Sequence, residues 1–125
     1  MKASRTRVLV IEDDADLRNL IHVYLEEEGF EVASAADGRE GLQMQRDTPA
    51  EVVVTDIFMP GKEGIETVFD LQREFPDTRI IAISGGANSA KGVDYLGLAR
   101  RLGAKKTLSK PFSMRQLADA VRDVA

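Results

Sequence analysis

The chain has 125 residues, 17 Lys and Arg against 21 Asp and Glu, a formal charge of −4 and no cysteine. That length fits one domain, and the missing thiols exclude a disulfide framework, a thiolate zinc site and cysteine catalysis while suiting a reducing compartment. An acidic balance argues against a nucleic-acid module, whose footprint is basic, and no apolar run nears the roughly 20 residues of a membrane span.

The start, Met1 to Arg7, passes directly into a four-residue apolar run, too short for a signal core. That run, Val8-Leu9-Val10-Ile11, predicts the first strand; it is continuous and branched instead of alternating, as strands covered on both faces read. Leu17, Leu20, Ile21, Tyr24 and Leu25 then recur at helical spacing, with Asp14 or Asp16 as the cap and Gly29 as the left-handed residue that ends the helix. Phe30-Glu31-Val32-Ala33 is a weaker strand, followed by a helix over 38–46. Val52-Val53-Val54 predicts a third strand and 64–74 a helix built on Ile65, Val68, Phe69 and Leu71. Ile80-Ile81-Ala82-Ile83 is the fourth strand, and Tyr95, Leu98, Ala99 and Leu102 fit a helix over 92–102. A weak fifth strand lies around Thr107-Leu108, and Leu117, Val121 and Val124 mark a last helix over 113–124.

Strict alternation of strand and helix predicts a parallel sheet with helices on both faces. Nothing interrupts the chain, so a single domain over 1–125 with no output domain is expected, in the cytoplasm, bound to neither nucleic acid nor membrane. Ligands of such sheets sit outside the C-terminal strand ends. There the sequence places Glu12-Asp13-Asp14, Asp56, Ser84 and Lys110. Carboxylates gathered at one edge call for a cation, and an all-oxygen donor set suits magnesium, with manganese as the alternative. A metal and an ammonium facing one another favour a dianionic group, an arrangement for phosphoryl transfer. Asp56, after the central strand, is the best-placed nucleophile, and Ser84 could donate to a phosphoryl oxygen. Bland readings stand beside these: Asp14 as a helix cap, Ser84 before Gly85-Gly86 as turn chemistry, and Arg100, Arg101, Lys105 and Lys106 as a solvated basic face. His22 lies off the apolar stripe and reads as a solvated helix residue.

Val8 to Asp14, Asp56-Ile57-Phe58-Met59-Pro60-Gly61 and Lys110-Pro111-Phe112 together resemble the receiver domains of two-component response regulators. Ala36-Asp37-Gly38, Gly64 and Gly103-Ala104 extend the match over almost the whole chain. The resemblance implies a doubly wound, flavodoxin-like sheet of order 2-1-3-4-5 with five helices. It implies that Asp56 accepts a phosphoryl group from a histidine kinase or histidine phosphotransfer protein and that a downstream protein reads the result. Glu12 and Asp13 match the family's acidic pair, with Asp13 and Asp56 as direct magnesium ligands and the backbone carbonyl of Phe58 as another. Ser84 and Lys110 match the residues that bind the phosphoryl group, and Lys110-Pro111 matches a cis peptide bond. The implied protein is a phosphoacceptor and not a turnover enzyme, a monomer or weak dimer.

Three departures stand out. Thr107 occupies a position often aromatic in the family, the segment from Ser84 to Lys110 is long, and Phe58 is bulky. The switch is therefore expected to run through the segment from Gly85 to Gly103. A pseudo-receiver that binds partners without phosphorylation is opposed by the complete set of site residues. A flavodoxin-type nucleotide binder lacks its phosphate loop, and an aspartate-nucleophile phosphatase would carry a second Asp where Phe58 stands.

Overall fold

The computed structural model describes residues 5–57, 63–85 and 95–125. Along the chain run β1 (Arg7–Ile11), α1 (Ala15–Glu27), β2 (Glu31–Ala35), α2 (Gly38–Asp47), β3 (Val52–Asp56) and α3 (Glu63–Glu74). Then follow β4 (Arg79–Gly85), α4 (Tyr95–Arg101), β5 (Lys106–Lys110) and α5 (Met114–Val124). The strands are all parallel, in the order β2-β1-β3-β4-β5. Alternation and the five-strand order stand as expected.

The unbroken apolar strands follow from burial on both faces. Val8 and Val10 of β1 pack with Ile21 and Leu25 of α1 and with Leu117 and Val121 of α5. Leu9 and Ile11, pointing the other way, join Val68 and Leu71 of α3 and Ala99 of α4. Two helix ends show their local cause. Gly29, at φ +99°, turns the chain out of α1 and back towards the sheet, in the left-handed region that glycine tolerates best. Ser113 opens α5 with a reciprocal cap: its hydroxyl accepts the Gln116 N–H while the Gln116 side chain accepts the Ser113 N–H.

The weaker strand shifts slightly. β2 runs over Glu31–Ala35, and Phe30 stands before it, buried against the α1 and α5 layer. Its amide donates to Leu25 O at the end of α1, so Phe30 belongs to the turn that closes the helix. Register then sets Ile11 beside both Ala35 and Thr55, bringing the C-terminal ends of β1 and β3 side by side at the centre of the sheet.

Candidate functional site

Beyond Ile11 the chain leaves the sheet as Glu12-Asp13-Asp14. The Glu12 N–H continues the ladder by donating to Ala35 O at 3.1 Å. Asp14 is the helix cap: its Oδ1 accepts from the Asp16 and Leu17 amides at 3.0 and 3.2 Å. The Asp14 N–H in turn donates to Glu12 Oε2 at 3.1 Å, which folds the Glu12 side chain inwards. Asp13, between them, is exposed.

Asp56 closes β3 and is buried, as is Ser84 in β4. Lys110 closes β5, and its Nζ reaches back to Asp56 Oδ2 at 2.8 Å and to within 3.6 Å of Glu12 Oε1. One carboxylate oxygen each from Glu12, Asp13 and Asp56 lies within 4.8 Å of the others. The structure thus brings Glu12, Asp13, Asp56 and Lys110 together, with Ser84 at the end of the strand between β3 and β5. Phe58, and with it the Met59-Pro60-Gly61 turn, lies outside the described residues, as do residues 86–94 of the expected switch segment.

The site carries excess negative charge. Burial pushes the Glu12 carboxyl from the ordinary 4.5 up to about 7, opposed by the Asp14 amide and assisted by the charge of Asp56. Partial burial works against the Lys110 ammonium, but its hydrogen bond to Asp56 and the charges of Asp56 and Glu12 hold its pKa above the ordinary lysine value. Glu12 Oε1 is buried and has no hydrogen-bond partner among the described residues. The Lys110 ammonium, 3.6 Å away, pairs with this oxygen by charge but lies beyond hydrogen-bond reach, so the oxygen keeps a desolvation cost that a closer cation would relieve. A hard divalent ion fits that requirement: three carboxylates supply oxygen ligands and too much charge for one ammonium to balance.

Two residues escape the sequence reading. His22 is half-buried instead of solvated: Nδ1 lies 2.5 Å from Ser34 Oγ of β2, and Nε2 lies 3.3 Å from a carboxylate oxygen of Glu26. An off-stripe helix residue is not solvated when the neighbouring strand edge offers it a hydroxyl. Arg18 Nη1 donates to Glu12 O at 2.8 Å, a contact between α1 and the acidic loop. The available signal was its position, since a cation in the opening turns of a helix faces the positive end of the dipole. Of the basic cluster, Lys106 pairs with Asp123 at 2.9 Å and Arg100 donates to Thr107 Oγ1 at 3.1 Å. Thr107 therefore ties β5 to α4 in place of a ring. The Lys110-Pro111 peptide is cis.

A family model described as the response regulator receiver domain matches residues 8–122. A probable transcriptional regulatory protein of Picosynechococcus is 36% identical over 96% of this chain and 49% of its own length. The transcriptional regulatory protein CpxR of Escherichia coli is 35% identical over 94% of this chain and 48% of its own. The chain thus spans about half the length of these curated relatives. The chemotaxis protein CheY of Thermotoga maritima is 29% identical, over 95% of this chain and 97% of that one. Among solved structures, a response regulator receiver domain protein from Clostridium thermocellum superposes with a TM-score of 0.84 at 27% identity, over 95% and 93% of the two chains. No helix among the described residues is long and apolar enough to cross a membrane.

Proposed function

This chain belongs to the response regulator receiver domains, and from that premise we propose that it is a cytoplasmic phosphoacceptor that takes its phosphoryl group on Asp56. The donor is a histidine kinase or a histidine phosphotransfer protein, and a downstream protein distinguishes the two states. The observation that supports this reading best is the convergence of a buried carboxylate, two further carboxylates and an ammonium at the ends of β1, β3 and β5. Glu12, Asp13 and Asp56, with the Phe58 carbonyl, would hold Mg2+ or Mn2+. When bound, that cation neutralises charge on the carboxylates and on the incoming phosphoryl oxygens.

A carboxylate oxygen of Asp56 attacks phosphorus. The new P–O bond forms as the P–N bond of the donor phosphohistidine breaks, and the imidazole leaves with the electron pair and is protonated. Lys110, held at 2.8 Å by Asp56 before transfer, donates to a phosphoryl oxygen afterwards. Ser84 donates its hydroxyl to another phosphoryl oxygen. Water attacking phosphorus later breaks the P–O bond to Asp56, releases inorganic phosphate and resets the protein. The domain acts once per signal on itself and turns over no separate substrate.

The test is intact mass after incubation with acetyl phosphate or phosphoramidate, with and without Mg2+. The wild type is expected to gain one phosphoryl mass only with the metal, and Asp56→Asn none. An equal gain in both proteins would place the phosphate elsewhere, and no gain in either would favour a binding module independent of phosphorylation.

A further inference from the structure

Glu12 is the point at which β1, β2 and α1 all fasten the acidic loop. Its amide is bound to Ala35 of β2 at 3.1 Å and its carboxylate to the Asp14 amide at 3.1 Å. Its carbonyl is bound by Arg18 at 2.8 Å, the one contact of the three made by a side chain that lies outside the loop. The position of Arg18 is unfavourable by itself. It stands near the N-terminal end of α1, where the helix dipole disfavours a cation, three residues after the first helical residue, Ala15. Among the described residues no carboxylate is paired with its guanidinium, so the contact with the Glu12 carbonyl is what the structure shows for its charge.

The geometry points to Arg18 as a positioning residue for the cation site. Its contact is with a backbone carbonyl, that of Glu12, and so it acts through the loop. It fixes the peptide plane between Glu12 and Asp13, and that plane sets where the exposed Asp13 carboxylate stands relative to buried Asp56. Asp13 is the exposed member of the three carboxylates and has less packing around its side chain than Glu12 or Asp56, so the course of its backbone matters more to where it stands. Without Arg18 the carbonyl would be satisfied by water, the plane would be free to rotate, and the cation would have to order the loop on binding. Outer contacts that orient ligands typically matter by about 10- to 100-fold in metal affinity.

This inference rests on the cation site proposed above, so the experiment separates the two. The 125-residue chain is titrated with Mn2+ and the free ion followed by electron paramagnetic resonance, for the wild type, Arg18→Ala, Arg18→Gln, Arg18→Lys and, as a neighbouring exposed control, Asn19→Ala. The expected result is affinity about tenfold weaker in Arg18→Ala, partial recovery in Arg18→Lys or Arg18→Gln, and no change in Asn19→Ala. The phosphorylation rate from acetyl phosphate, extrapolated to saturating metal, should return close to that of the wild type. The metal-free melting temperature of Arg18→Ala should hold, because removing a cation from a helix start relieves an unfavourable charge as the hydrogen bond is lost. Wild-type affinity in Arg18→Ala would overturn the assignment while leaving the cation site standing. A rate that stays low at saturating metal, together with a lowered melting temperature, would also overturn it in favour of a merely structural role. Failure of the wild type to bind Mn2+ would overturn both readings.

Discussion

At Glu12 the demands of burial and of charge conflict most sharply. Its carboxyl is raised from 4.5 to about 7, chiefly by burial. A carboxyl whose folded pKa lies above its unfolded value contributes stability that is fully present below pH 4.5 and is lost as pH rises through about 7. The metal-free protein is therefore expected to lose stability across that window, and Glu12→Gln to flatten the loss; urea unfolding at a series of pH values measures it. Since a proton on Glu12 competes with a cation, Mg2+ affinity should climb several-fold between pH 6 and 8, and calorimetric titration at the two pH values reads it. Lys110→Ala removes a cation 2.8 Å from Asp56. Metal binding should then hold or tighten, whereas the difference in partner binding between phosphorylated and unphosphorylated protein should vanish. Loss of metal binding with that difference intact would reverse the roles assigned to Lys110. Asp56 and Lys110 were legible in the sequence because each ends a strand and so must stand at the sheet's C-terminal edge. Arg18 and His22 were not, since their roles depend on which neighbouring element each long side chain reaches, and periodicity carries no such information.

Elements meet at contacts that leave little room for substitution. A Cβ on Gly64 in the first turn of α3 would lie 2.3 Å from the backbone oxygen of Ile57 and 2.5 Å from its carbonyl carbon. Ile57 directly follows Asp56, so Gly64→Ala is expected to cost about 1–3 kcal/mol by overpacking and to displace the acceptor strand end. Phosphorylation by acetyl phosphate should slow by about ten- to a hundredfold, and a wild-type rate would show that the strand end absorbs the clash. Gln45 of α2 is fully buried; it accepts the Ala50 N–H and donates to Ala50 O, each at 2.9 Å, and it also donates to Thr78 Oγ1 at 3.1 Å. Gln45→Leu strands buried backbone groups before β3 and should cost at least about 2 kcal/mol, or roughly 8 °C in Tm, by calorimetry. Gly64 could be singled out because the family motif contains it. Gln45 could not, because in a helix of mostly polar residues nothing marks the one whose amide turns inwards. The displacement of β2 by one residue has a similar origin, since Phe30 is apolar for the sake of the core and not of the strand.

At the scale of the whole molecule, strand order is what assembles the site; the repeated strand-helix pattern predicts a parallel sheet, while the order itself was legible only through the resemblance to receiver domains. Closing the charge cluster with a ligand should stabilise the fold by mass action: Mg2+ at ten times its Kd contributes about 1.4 kcal/mol. Thermal unfolding with added MgCl2 should show this in the wild type and not in Asp13→Asn. The separation of the site residues along the chain has a further consequence, for folding. Lys110 and Asp56 are 54 residues apart in sequence, and β5, which carries the lysine, occupies one edge of the sheet. A chain made from its N-terminus releases Glu12, Asp13 and Asp56 well before the ammonium that balances them. Docking of β1 against β3 thus first brings three carboxylates together without their lysine, and the repulsion has to be carried until the edge strand joins. Divalent cations should accordingly speed refolding as well as slow unfolding, with the acceleration lost in Asp13→Asn. Such non-local closure is the slow part of building parallel sheets, and here it means that a partly folded chain has Asp56 in place but not the completed pocket around it.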